Sequence, residues 1–264
     1  MNSKKSIGFI GFGNMATAIF NGLQQNKNKI SKIYACRKSK KALPKQLIAL
    51  NHIDLIKKSD IIILAIKPQQ VKEISVFFNK IDFSNKCILS IMAGTTISTL
   101  NKLNPSLNSI IRVMPNTAAS IQESISFIAN NKKCKKEFIH ITEEIFSSIG
   151  KIQIIKEEQM NFATAMFGSG PAFIYQIMKE LIKICKENNL QEKESELLIK
   201  QLFLSSSKMA HSSSKNISKL IDEICSPKGT TEAGLDKFKE LNLDISLAQI
   251  IETAKNRSKK LSNE

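Results

Sequence analysis

The sequence predicts an α/β domain built on a parallel sheet and followed by an all-α domain, and three observations predict it. At the amino end, Ile7-Gly8-Phe9-Ile10-Gly11-Phe12-Gly13-Asn14-Met15-Ala16 runs from a short apolar stretch through a glycine turn into helical spacing. Continuous apolar runs such as Ile61–Ile66 alternate with helical stretches, the pattern of strands covered on both faces. From Met160 onward there is no convincing strand, only long amphipathic helical stretches. The pattern changes near Glu157, so the expected domains are 1–156 and 157–264.

The first strand opens the order of a dinucleotide-binding βα turn, Gly11-x-Gly13-x-x-Ala16. Gly11 permits the tight turn, Gly13 lets a pyrophosphate approach the backbone, and Ala16 is small enough for close helix–strand packing. The orphan N–H groups and positive dipole end of the following helix suit phosphates. A plain structural turn would use the same glycines, but the placement favours a cofactor held by Gly11, Phe12, Gly13, Asn14 and Met15. Helical spacing follows over Met15–Leu23, then a second strand at Ile33–Ala35. At the end of that strand, NAD-selective folds usually place a carboxylate for the ribose 2′-hydroxyl. Here the chain reads Cys36-Arg37-Lys38-Ser39-Lys40. Arg37 can make a bidentate contact to a 2′-phosphate, with Lys38 and Ser39 nearby, so the expected cofactor is NADPH, with NADH weaker.

The segment Ala42–Lys58 is too short for a full strand, helix and connection, and a trimmed βα unit is expected there. Asp60–Ile66 is a buried strand ended by Lys67-Pro68-Gln69, and Val71–Phe78 a helix. Cys87–Ile91 and Ser109–Met114 are strands around a short helix, Ser98–Leu103. Ser124–Ile128 and Lys151–Ile155 are strands around a helix at about Lys135–Ser148. In the second half, Asn161–Asn188 is helical with one interruption, Gly168-Ser169-Gly170-Pro171. Helices are then expected over Glu192–His211, Ser218–Ile224, Thr231–Lys239 and Ser246–Leu261.

Composition narrows the function classes. The 264 residues, 42% hydrophobic and 23% charged, describe a globular protein with a sizeable core. The net charge of +16 comes from scattered lysines, and with no Trp and two Tyr a nucleic-acid face is not expected. The longest apolar run, Ile61–Ile66, is too short to span a membrane. Glycines interrupt the apolar part of Met1–Phe12, so it reads as strand and turn rather than a secretion signal, and a cytoplasmic protein is expected. Five dispersed cysteines and three isolated histidines form no disulfide framework and no metal site.

The most specific segment is Ile224-Cys225-Ser226-Pro227-Lys228-Gly229-Thr230-Thr231-Glu232-Ala233-Gly234, a hydroxyl-rich turn entering a helix. Its free N–H groups suit a carboxylate, although a Ser/Thr-capped helix start would look the same. Joined to Ile10–Ala16, Ala65-Ile66-Lys67-Pro68-Gln69, Arg112-Val113-Met114-Pro115-Asn116-Thr117 and Gly168-Ser169-Gly170-Pro171-Ala172-Phe173, it makes the chain resemble pyrroline-5-carboxylate reductases along nearly its whole length.

The resemblance implies a Rossmann-like domain and a helical dimerisation domain, in a homodimer or a larger ring of dimers. It also implies hydride transfer from NAD(P)H to the C=N carbon of pyrroline-5-carboxylate, the last step of proline synthesis. In that family the turn corresponding to Ser226, Pro227, Lys228, Gly229 and Thr230 holds the substrate carboxylate, and the hydroxyl corresponding to Thr231 lies beside the ring nitrogen. Ala65, Lys67 and Pro68, with Met114, Pro115 and Asn116, fall on the nicotinamide side. No His–carboxylate pair stands in these motifs, and an imine, once protonated, needs little more than orientation toward the hydride.

Three departures from the family stand out. Lys228 replaces a usual glycine, Arg37–Ser59 is short, and Ser212-Ser213-Ser214 replaces a stretch where a glutamate is common. Within the short segment Asn51 is the nearest counterpart of a family Asn, in register or one place out of it. A beta-hydroxyacid dehydrogenase, the nearest rival, would carry a lysine and an asparagine where this chain has Pro171–Gln176. A non-catalytic cofactor-binding regulator is the rival of another class, and the intact hydroxyl-rich turn with Thr231 argues against it.

Overall fold

In the computed structural model, which describes residues 4–25, 30–37, 42–79 and 81–263, the apolar runs of the first half assemble into one eight-stranded sheet. In chain order its first part is β1 (Lys5–Ile10), α1 (Asn14–Gln25), β2 (Ile30–Cys36), β3 (Ile48–Ala49), α2 (His52–Lys58), β4 (Ile61–Leu64) and α3 (Val71–Phe78). There follow β5 (Cys87–Ser90), α4 (Ile97–Asn101), β6 (Ser109–Met114), β7 (Ser124–Asn130), α5 (Lys136–Ser147) and β8 (Gly150–Ile154). The strand order is β3-β2-β1-β4-β5-β6-β7-β8. Every neighbouring pair is parallel except β6–β7. The first six strands follow the doubly wound order that leaves a crevice at the carboxyl ends of the central strands. The trimmed unit is a two-residue strand and a two-turn helix.

Period-two alternation divides the strand side chains between two cores. Ile7, Phe9, Ile61, Ile63, Leu89 and Ile111 meet α1 and α5 through Ile19, Phe20, Phe138 and Ile145. Ile10, Ile62, Leu64, Ile88 and Ile110 meet α2, α3 and α4 through Leu55, Ile74, Phe78 and Leu100. Because both faces are covered, the central strand β4 is apolar without a break.

The chain divides into two compact units, residues 1–169 with 254–264, and residues 170–253. Within the first, β8 leads through a turn at Glu157–Gln159 into α6 (Met160–Ala163) and a π-helical turn at Thr164–Gly168. The second contains α7 (Gly170–Glu187), α8 (Glu192–Ser212), α9 (Ile217–Ile224) and α10 (Thr230–Glu240), and α11 (Leu243–Asn263) begins in it. Pro171 occupies the first turn of α7, where its missing N–H does no harm. Among the described residues, no helix is long and apolar enough to cross a membrane.

Candidate functional site

The carboxyl ends of β1, β2 and β4 open on a cavity of about 590 Å³ whose lining includes Gly11–Ala16, Arg37, Ala65 and Lys67. Gly11 is required by the fold itself: its φ is +85°, and a Cβ would lie 2.4 Å from the Ala65 carbonyl oxygen. Gly13 is different. A Cβ there would meet nothing within 4 Å, so packing does not demand the glycine and its bare backbone faces the crevice. Thr17 closes the first turn of α1 through N–H and hydroxyl bonds to the Gly13 carbonyl, both 2.9 Å. The N–H groups of Asn14, Met15 and Ala16 before it have no intrahelical acceptor. Phe12 contributes only backbone, since its ring is buried edge-on against Phe9 and Phe20.

Arg37 stands where the sequence places it, between this cavity and a second hollow of about 460 Å³ lined by Gly13, Asn14, Thr17 and Leu43. Among the described residues, its Nη1 makes one long contact, 3.5 Å to the Phe12 carbonyl. Its Nε and Nη2 are buried with no partner among the described residues. Buried donors are rarely left so, and the guanidinium that carries them lies beside the opening that Gly13, Asn14 and Leu43 also line. Lys38 and Ser39 lie outside the described residues. Asn51 caps α2: its Oδ1 accepts from Asp54 N–H at 2.9 Å and its Nδ2 donates to Asp54 Oδ2 at 2.7 Å. It is the next residue, His52, that lines the cavity, stacked on Phe77 with ring centroids 4.7 Å apart.

At the β4 edge of the same cavity, Lys67 opens the Pro68–Gln70 turn, closed by a 3.2 Å bond from Lys67 N–H to Gln70 Oε1. Asn116 caps the Thr117–Ile121 turn, and its Nδ2 donates to the Phe167 carbonyl at 3.3 Å. Pro115 is held between two tied neighbours. Asn116 N–H donates to Ser124 Oγ at 3.1 Å, and the Met114 Cε packs against Gly168, where an added Cβ would sit 2.5 Å away.

The turn Ser226–Gly229 and the start of α10 lie in the second unit. Lys228 has φ +59°, the left-handed conformation that favours glycine, so this turn keeps the shape a glycine would give it. The Lys228 N–H donates to Glu232 Oε2 at 2.6 Å, and the Gly229 N–H to the Ser226 carbonyl at 2.9 Å. Among the described residues, no acceptor takes the N–H groups of Thr230, Thr231 and Glu232, an arrangement that suits an anion at a helix start. Ser212 ends α8, and Ser213 Oγ accepts from Lys215 N–H at 3.1 Å.

Two features escaped sequence reasoning. One is the π-helical turn before Gly168, for which only the glycine pair hinted at a break. The other is an ion pair between Arg112 on β6 and Glu157, with Nη1 and Oε1 3.0 Å apart. Burial pushes the Arg112 guanidinium below its usual value, while the hydrogen bond and charge of Glu157 act against that. An arginine inside the apolar run Ser109–Met114 was the signal that could have found it. Among the described residues, no group of three or more His, Cys, Asp or Glu is placed to hold a metal ion.

A family model described as pyrroline-5-carboxylate reductase dimerisation matches residues 157–261, and one described as NADP oxidoreductase, coenzyme F420-dependent, matches 6–94. Pyrroline-5-carboxylate reductase 2 of Bacillus subtilis (strain 168) is 31% identical over 98% of this chain and 96% of its own. The pyrroline-5-carboxylate reductase of Haemophilus influenzae is 30% identical over 97% of each. The crystal structure of Plasmodium falciparum pyrroline carboxylate reductase with NADP bound has a TM-score of 0.85 and 30% identity, covering 99% of this chain and 100% of that one.

Proposed function

The chain belongs to the pyrroline-5-carboxylate reductase family, and from that premise we propose how its residues share the reduction of pyrroline-5-carboxylate to proline, the last step of proline biosynthesis. The observation that carries the reading is kinship over nearly the whole length, so that both the crevice and the hydroxyl-rich turn belong to one enzyme. When bound, the reduced nicotinamide supplies the hydride that reaches the imine carbon. The Gly13 backbone and the first N–H groups of α1 hold the pyrophosphate, and Arg37 holds the 2′-phosphate, which makes NADPH the preferred cofactor. Lys38 and Asn51 belong to the adenosine end of this reading. Ala65, Lys67, Pro68, Met114, Pro115 and Asn116 flank the nicotinamide.

The substrate carboxylate rests on the turn of Ser226, Pro227, Lys228, Gly229 and Thr230. Since the chain itself uses the Lys228 and Gly229 N–H groups, the donors left for the carboxylate are the first N–H groups of α10 and the hydroxyls of Ser226 and Thr230. The Thr231 hydroxyl meets the ring nitrogen, accepting from the protonated imine and donating to the neutral amine of the product. Orientation is the main contribution, because an iminium accepts hydride without a strong general acid. Residues 157–264 act as the dimerisation and substrate half and 1–156 as the cofactor half, in a dimer or a ring of dimers. The five cysteines are all free, which fits a cytoplasmic enzyme. The test is NADPH oxidation by purified protein with and without pyrroline-5-carboxylate. Substrate-dependent oxidation is expected, and binding of NADPH without turnover would favour the non-catalytic alternative.

A further inference from the structure

We propose that Glu157 is a positioning residue for hydride transfer, holding the loops at the carboxyl ends of β5 and β6 in the places the reaction needs. The inference rests on the reading that Met114, Pro115 and Asn116 flank the nicotinamide. One carboxylate oxygen does the holding: Glu157 Oε1 accepts from Arg112 Nη1 at 3.0 Å and from Ile97 N–H at 2.7 Å. Arg112 lies two residues before Met114 on β6 and pairs with Ser90, the last residue of β5. Ile97 is the first residue of α4, directly after the segment that leaves β5. A single acceptor therefore ties together the exits of two neighbouring central strands.

The other end of the β6 exit is fastened separately, by Asn116 to the Phe167 carbonyl at 3.3 Å. Met114 and Pro115 are thus bracketed by two polar ties of different origin. Glu157 itself is steady, because its turn is closed by a 3.0 Å bond from Lys156 N–H to Gln159 Oε1. With the Glu157 side chain 32% exposed and Arg112 buried, the pair is a weak source of stability, since desolvation and solvent screening offset the attraction. Its directional bonds do fix geometry, and hydride transfer is sensitive to misplacement on the scale of an ångström.

The test compares Glu157→Ala, Glu157→Gln and Asn116→Ala with the parent protein. The readings are kcat, both KM values, NADPH affinity by fluorescence titration and the melting temperature of the ligand-free protein. Glu157→Ala is expected to lower kcat about tenfold while NADPH affinity and the substrate KM stay within about threefold. Glu157→Gln keeps an oxygen acceptor for both donors and is expected to lose only about threefold in kcat. A lowered melting temperature with parental kcat in Glu157→Ala would mean that the pair is merely structural, and would overturn the proposal. If Glu157→Ala does not fold, Glu157→Gln decides in the same way: reduced kcat at parental affinity supports it, and parental kcat overturns it. Asn116→Ala separates the two layers. Parental kcat there removes the nicotinamide-side reading and this inference with it, whereas a fall in Asn116→Ala beside parental kcat in Glu157→Ala removes this inference alone.

Discussion

Arg37 shows what a single side chain can reveal about a ligand. Its Nε and Nη2 are buried and unpartnered among the described residues, an arrangement that folding alone does not reward. Arg37→Ala should therefore leave stability unchanged or slightly raised. A charge-assisted bond to a 2′-phosphate carries about 1.5–3 kcal/mol, so the KM for NADPH should rise roughly ten- to a hundredfold with that for NADH little altered. Steady-state kinetics with both cofactors check this, and an equal loss for both would show that Arg37 does not read the phosphate. At the other site, Thr231→Ala should lower kcat/KM by roughly five- to thirtyfold without weakening NADPH binding, which depends on the first unit. Thr230→Ala removes one candidate hydroxyl but no N–H, and should cost less. A sensitive Thr230 beside a silent Thr231 would place the substrate one residue away.

Among elements, the turn into α10 carries backbone strain at a residue that is not glycine. Lys228 at φ +59° pays about 1–2 kcal/mol for a conformation that glycine adopts freely. Glycine in turn makes the unfolded chain more flexible, at about 0.4–1 kcal/mol. Lys228→Gly should thus stabilise the protein by up to about 1 kcal/mol, read as a rise of about 2–4 °C in melting temperature. The Lys228 N–H bond to Glu232 survives the change, because it involves backbone only on the Lys228 side. A fall in melting temperature would mean that the lysine side chain contributes contacts larger than the strain.

For the whole molecule, the helical half is the telling part. Within α7–α10 only Ser195 and Ile199 are buried, both on α8, whereas Tyr175, Leu197, Met209 and Ile224 are each more than 60% exposed. Apolar faces of that extent are interaction surfaces, and the family model matching 157–261 is one for dimerisation. Sedimentation at micromolar concentration should therefore give a dimer or larger particle. A stable, well-folded monomer under those conditions would leave these faces without an explanation.

The amino-acid sequence by itself was enough for the order of strands and helices, since burial on both sheet faces writes itself as unbroken runs such as Ile61–Leu64. The glycine turn and the place of Arg37 at the end of the second strand were legible for a similar reason, since both are set by local sequence. The Arg112–Glu157 tie was not legible, because it joins residues 45 apart in sequence and only folding brings them to 3.0 Å. The different demands on Gly11 and Gly13, a tight turn and an open backbone, were read from their places in the motif, and the structure adds the surroundings that impose them. Tertiary packing separates them, setting the Ala65 carbonyl against one and nothing against the other.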